Sequence, residues 1–189
     1  MQGFIQSCNS FHSSNSYSIK TKFSDVIQYF RMLASQHVSI GHSAAEKHFY
    51  RFEIDEVLSG IKTINYPAFI LEGYRFSLID KQSDNVLKER TGAFILLDHL
   101  SDVSDYDAMH ELWDRLESIC DDIIDRVKAD KHNATAKAVR DFDLNNIEFA
   151  LIANENDRNF GIRCTFTITS PFSTTVDTSR WNLCVDVPA

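Results

Sequence analysis

Residues 104–129 read SDYDAMHELWDRLESICDDIIDRVKA, and this stretch decides the fold class. Its apolar residues recur at steps of three and four, which places them on one stripe of an α-helix. The stripe comprises Met109, Leu112, Trp113, Leu116, Ile119, Cys120, Ile123 and Val127. Acidic residues dominate the opposite side, so the stretch predicts a long amphipathic helix with one face in a core.

The ends of this helix are marked as well. Ser104 followed by Asp107 has the form of a capping box, with Asp in place of the usual Glu or Gln. Arg126 and Lys128 suit the negative end of the helix dipole. The flanking segments are strand-like, so we expect the apolar stripe to pack on a sheet.

Strand-like segments occur in pairs on both sides of the helix. Residues 66–80 and 85–100 are joined by a polar turn, which predicts an antiparallel hairpin, with Gly73 at a bulge or bend. Residues 146–152 and 160–169 predict a second hairpin. In residues 160–169 apolar side chains alternate with polar ones, as in a strand with one buried face.

Two further elements precede the hairpins. Ser24 is a candidate cap for a helix over residues 25–36, and residues 48–54 predict a short strand. The sequence therefore predicts an α+β fold. We expect an antiparallel or mixed sheet from two β-hairpins packed on one long amphipathic helix, with a second N-terminal helix.

The chain of 189 residues fits a single domain with extended ends. We predict an N-terminal arm over residues 1–22, a domain over residues 23–170 and a C-terminal arm over residues 171–189. A large aromatic residue on a polar arm either packs on its own domain or anchors a partner, and the sequence leaves both readings open. The candidate interface residues are Phe4, Arg163, Phe172, Trp181 and Leu183.

Composition limits the classes of function. The net charge of −8 argues against a protein that coats nucleic acid with a basic face. It is compatible with a protein that lines a passage for DNA. No apolar run reaches the length of a membrane span, and the N-terminus has no secretory signal, so we expect a cytoplasmic protein. Cys120 and Cys164 are expected in the core.

No motif indicates a catalytic, cofactor or metal site. His37, His42 and His48 are the only histidine cluster, and their spacings match no standard zinc pattern. No GxSxG or phosphate-binding glycine motif occurs. We therefore predict no catalysis, no cofactor and no metal. An enzyme remains an open alternative if His48, His99 or His110 converges with carboxylates in a pocket.

The order of elements points to one family. The stretches that define this order are DVIQYFRMLA (25–34), YPAFILEGYRFSLID (66–80), TGAFILLDHL (91–100), YDAMHELWDRLESICDDIIDRV (106–127) and FGIRCTFTIT (160–169). This order resembles the tail terminator, or tail completion, proteins of tailed bacteriophages, whose subunits form rings that cap the tail tube and join it to the head.

The resemblance implies a non-catalytic structural protein of the virion neck or tail. Its partners would be further copies of itself and neighbouring virion proteins, with a lumen that DNA passes without specific binding and without a membrane. Assembly would take place in the host cytoplasm. The long N-terminal arm, Gly73 and the arm with Trp181 depart from the family pattern and leave open another neck ring protein. The alternative function is a small cytoplasmic adaptor or binding module.

Overall fold

The computed structural model describes residues 21–51, 64–81, 86–133, 137–154, 158–172, 176 and 178–181. Phe4 and Leu183, most of the predicted N-terminal arm and the last part of the predicted strand over residues 48–54 lie outside these ranges.

Two α-helices and six strands make up the described part of the chain. The helices are α1 (Phe23–Gln36) and α2 (Tyr106–Lys131). The strands are β1 (Phe49–Arg51), β2 (Ala68–Leu71), β3 (Arg75–Ile79), β4 (Leu87–His99), β5 (Phe142–Asn154) and β6 (Asn159–Pro171). A short 3-10 helix covers Thr178–Arg180. The α+β class and the second helix are confirmed.

All six strands belong to one mixed sheet in the order β1-β2-β4-β6-β5, and β3 pairs with β4 beyond the end of β2. β1 and β2 are parallel, and every other pair is antiparallel. β4 and β6 pair along their full length, from Leu87 opposite Pro171 to His99 opposite Asn159. These two long strands therefore form the centre of the sheet.

The predicted strand over residues 66–80 is two strands in the structure. β2 and β3 pair with successive parts of the same side of β4, and residues 72–74 lie between them. Gly73 lies exposed in this break, and a Cβ added to it would have no atom within 4 Å. The bend expected at Gly73 is therefore a complete interruption of the strand.

The helix starts also differ from expectation. The carboxylate of Asp105, rather than the hydroxyl of Ser104, accepts the N–H of Ala108 at 3.0 Å. The Ser104 hydroxyl donates to Asp102 instead, at 2.7 Å. Helix α1 begins at Phe23 instead of residue 25.

One face of the sheet carries the main core, to which both helices contribute. Phe30 of α1 lies in this core. The centroid of its ring is 5.1 Å from that of the Phe166 ring and 5.8 Å from that of the Phe94 ring. The α2 stripe is buried on the same face, through Leu112, Leu116, Ile119, Cys120, Ile123 and Val127. Cys120 and Cys164 are both buried, as expected.

Neither described helix is long and apolar enough to cross a membrane.

The opposite face has a smaller apolar cluster. Ile64, Tyr66 and Ile152 pack against its buried residues. Those residues are Tyr50, Ala68, Ile70, Ile95 and Leu97.

Candidate interaction surface

β5 forms one outer edge of the sheet, since within the described ranges it pairs with β6 alone. Phe149 lies opposite Cys164, and Leu151 lies opposite Ile162, so both side chains are on the helix-bearing face. Helix α2 packs mainly over β6, and Phe149 and Leu151 remain 48% and 63% exposed. This edge therefore presents two large apolar side chains to solvent.

Among the residues that the structure describes, β3 pairs with β4 alone and so forms an edge on the other side of the sheet. Phe76 lies opposite Arg90 and Leu78 opposite Lys88, which places them on the helix-bearing face too. They are 63% and 52% exposed. The Lys88 ammonium lies 4.0 Å from the centre of the Phe76 ring, a cation–π contact.

The two edges therefore share one pattern, with two exposed apolar residues spaced two apart on the same face. Soluble proteins usually protect open strand edges with proline, lysine or other charges. Neither β3 nor β5 contains proline or lysine, and their charged residues are Arg75 on β3 and Asp143 and Glu148 on β5. We name the Phe76–Leu78 pair the β3 patch and the Phe149–Leu151 pair the β5 patch.

Arg163 lies on the opposite face of the sheet, in an ion pair with Glu72. Its Nη2 donates to Oε2 of Glu72 at 2.7 Å, and its Nε lies 3.2 Å from both carboxylate oxygens. Nη1 donates to the Thr165 hydroxyl at 3.0 Å. The structure thus gives Arg163 a position that holds β2 and β6 together.

The C-terminal arm starts beside β3. Phe172 is partly buried, and its N–H donates to the carbonyl of Val86 at 2.8 Å. Ile79 and Pro171 lie on either side of Leu87 in the sheet, so the arm leaves close to the end of β3. Trp181 follows the 3-10 helix and is 64% exposed.

The clustered histidines have separate structural contacts. His37 Nε2 lies 3.4 Å from a carboxylate oxygen of Asp122. The Nδ1 of His42 accepts the backbone N–H groups of His48 and Phe49 at 3.2 and 3.3 Å. Burial, and secondarily the charge of Arg31, lowers the pKa of His42 below its ordinary value.

The other histidines also have individual surroundings. His48 is buried, with its Nδ1 3.0 Å from the carbonyl of Pro67. His99 packs its ring 5.8 Å from that of Tyr66, and His110 is exposed on α2. No group of three metal-ligating side chains forms within the ranges that the structure describes.

The residues of the β3 and β5 patches were missed at the level of sequence. Residues 75–79 and 146–152 have the apolar alternation of an ordinary half-buried strand, and nothing local marks them as edges. Their exposure depends on which strands pair with β4 and β6.

Compared with known proteins, the chain matches no protein-family model and no curated protein sequence.

Proposed function

We propose that this protein is a structural component of the neck or tail of a tailed-phage virion, forming a ring at the head–tail junction or tail end. The carrying observation is that two separate edges of one sheet expose large apolar side chains. A subunit that joins a closed ring needs two different surfaces, one for each neighbour. The β3 and β5 patches meet that requirement.

The element order supports the same proposal. We infer that the two hairpins, β3–β4 and β5–β6, packed with α2, are the unit that resembles tail terminator proteins. Helix α1 and β1 precede this unit, and an arm follows it. The order α, β, hairpin, long α, hairpin, arm is the one on which the resemblance rests.

The outward face of α2 suits a passage for DNA. Its carboxylates are exposed and repel phosphate, which favours passage without adhesion. They belong to Glu111, Asp114, Glu117, Asp121, Asp122 and Asp125. We propose that this helix face lines the lumen and that DNA contacts there are weak and independent of base sequence.

Trp181 supports contacts between neighbours. A tryptophan that is 64% exposed on an arm is well suited to bury its ring in a pocket of another subunit or of a neighbouring virion protein. The arm leaves near β3, so it would reach the neighbour on that side.

The proposal is tested by the mass of the native assembly. Light scattering after size exclusion and native mass spectrometry of the full chain should show multiples of one subunit. Negative-stain electron microscopy should show rings. A chain that stays monomeric at high micromolar concentration, both alone and with phage tail proteins, would contradict the proposal. Monomeric behaviour with capture of one specific cellular partner would favour the adaptor alternative.

A further inference from the structure

We propose that β5 of one copy pairs antiparallel with β3 of the next copy, so that the sheet continues from subunit to subunit. The partner of each edge strand is thus another copy of this chain. This inference rests on the proposed self-assembly and names the surfaces that carry it.

Strand directions favour this pairing. β3 and β6 are each antiparallel to β4, so β3 and β6 run the same way. β5 is antiparallel to β6 and therefore runs opposite to β3. If successive copies keep their helices on the same side of a continuous sheet, β5 meets the neighbour's β3 in antiparallel orientation.

One register places the two apolar patches directly against each other. Residues opposite one another in an antiparallel pair contact most closely, and apolar pairs there stabilise the sheet. The strand β5 is regular over this part, since its register irregularity lies between Asp143 and Glu148. Five pairs result: Arg75–Ile152, Phe76–Leu151, Ser77–Ala150, Leu78–Phe149 and Ile79–Glu148.

Charge is compatible with this register. Arg75 and Glu148 are the charged residues of the paired segments, and each lies opposite an apolar residue of the neighbour. No like charges face each other within these five pairs. Both charged side chains lie on the face opposite the helices, away from the apolar patches.

The competing arrangement is a two-fold pairing of β5 with β5. Centred on Ala150, it would place Phe149 against Leu151 of the second copy and bury the β5 patch. It would leave the β3 patch uncovered and would close at two copies. Pairing of β5 with β3 brings all four exposed side chains into the contact and leaves one open edge at each end of the assembly until a ring closes.

Cysteine cross-linking distinguishes the two arrangements. Cys8 and Cys184 are first replaced by serine in the full chain, and single variants Ser77→Cys and Ala150→Cys are made in that background. Mild oxidation of the mixed variants should give a covalent Ser77→Cys–Ala150→Cys heterodimer, and neither variant alone should cross-link. The double variant should give a ladder of covalent oligomers.

A matched control uses Ser35→Cys on the exposed side of α1, which should not cross-link to Ala150→Cys. Cross-linking of Ala150→Cys with itself would overturn the proposal in favour of the two-fold arrangement. Absence of any cross-link in a protein that assembles would overturn it as well.

Charge insertion provides an independent measurement. Leu151→Lys and Phe76→Lys should each raise the concentration for half-assembly at least tenfold, because lysine blocks an open strand edge. Val38→Lys is the control, since Val38 is 95% exposed and lies outside both patches. Normal assembly of Leu151→Lys and Phe76→Lys would overturn the edge pairing and leave the proposed function standing. A monomeric parent protein would overturn both.

Discussion

Arg163 and Glu72 form a bidentate ion pair that crosses the width of one strand. Glu72 directly follows β2 and Arg163 lies on β6, with β4 between them. The Glu72 side chain is only 10% exposed, while that of Arg163 is 40% exposed. Glu72 also donates its backbone N–H to the Ala93 carbonyl of β4 at 3.0 Å.

Replacing Glu72 with glutamine should lower the free energy of unfolding by roughly 1–2 kcal/mol, between the values for exposed and buried pairs. The loss arises because the guanidinium of Arg163 stays partly buried without its counter-charge. Urea denaturation measures it. The control is Arg140→Gln, which removes an exposed pair with Asp141 at 3.3 Å and should change stability by less than about 0.5 kcal/mol. Equal effects of the two substitutions would contradict this role for Glu72.

Gly161 should not tolerate a side chain. A Cβ there would lie 2.5 Å from the carbonyl oxygen of Leu96 and 3.0 Å from Cδ1 of Leu97. Gly161→Ala therefore forces β4 and β6 apart and should destabilise the fold by about 2–4 kcal/mol, measured as a drop in Tm and in the urea midpoint.

Gly73→Ala is the matched control for Gly161→Ala. No atom lies within 4 Å of a Cβ at Gly73. The substitution should leave stability unchanged or raise it by about 0.4–1 kcal/mol, because alanine restricts the unfolded chain. A loss above about 1 kcal/mol at Gly73 would show that the break between β2 and β3 requires glycine.

His42 should make stability fall below neutral pH. Burial lowers its pKa below the ordinary value of 6.5, so the unfolded chain binds the proton more readily than the folded chain. The contribution of neutral His42 to the free energy of unfolding has its full value above pH 6.5. It is lost as the pH falls from 6.5 toward the lowered pKa of the folded state. Protonation also removes the acceptor for the N–H groups of His48 and Phe49.

His42→Asn isolates this contribution. The asparagine oxygen takes the place of Nδ1 as an acceptor and does not titrate. Denaturant unfolding at several pH values between 7 and 5 should show a smaller loss of stability for His42→Asn than for the parent protein. Identical pH profiles would rule out His42 as the source.

The core thiols should be unreactive in the folded protein. Burial raises the pKa of Cys164 to about 12 and raises that of Cys120 beyond its ordinary range. The thiolate is the reactive form, so little is present near neutral pH. With Cys8 and Cys184 replaced by serine, Ellman's reagent at pH 8 should give no fast reaction in buffer and full reaction of both thiols in urea. Fast labelling in buffer would show that the α2–β6 contact opens readily.

Local signals in the sequence were sufficient for the helices. The apolar period and the end charges predicted α2 over residues 104–129, and the structure has it at Tyr106–Lys131. The prediction of Ser104 as the N-cap is wrong because Ser104 and Asp105 are adjacent and both residue types are favourable at an N-cap. Which one is used depends on Asp102, which accepts the N–H and the hydroxyl of Ser104.

Strand pairing could not be obtained in the same way. The pairing of β4 with β6 joins strands that α2 and β5 separate in the chain, and the parallel contact of β1 with β2 has no local signature. A strand at an edge has the same alternation as one inside the sheet, so the exposure of Phe149 and Leu151 has no local signature. The β3 and β5 patches therefore cannot be identified without the order of the strands in the sheet.

The position of β6 bears on how the protein is made. It is the last strand along the described chain, yet it joins β4 to β5 at the centre of the sheet. As the chain leaves the ribosome, β4, α2 and β5 all emerge before the strand that unites them. Completion of the core therefore waits for translation to pass Pro171. A premature stop codon before Asn159 would remove the middle of the sheet and would leave an aggregation-prone fragment rather than a trimmed domain.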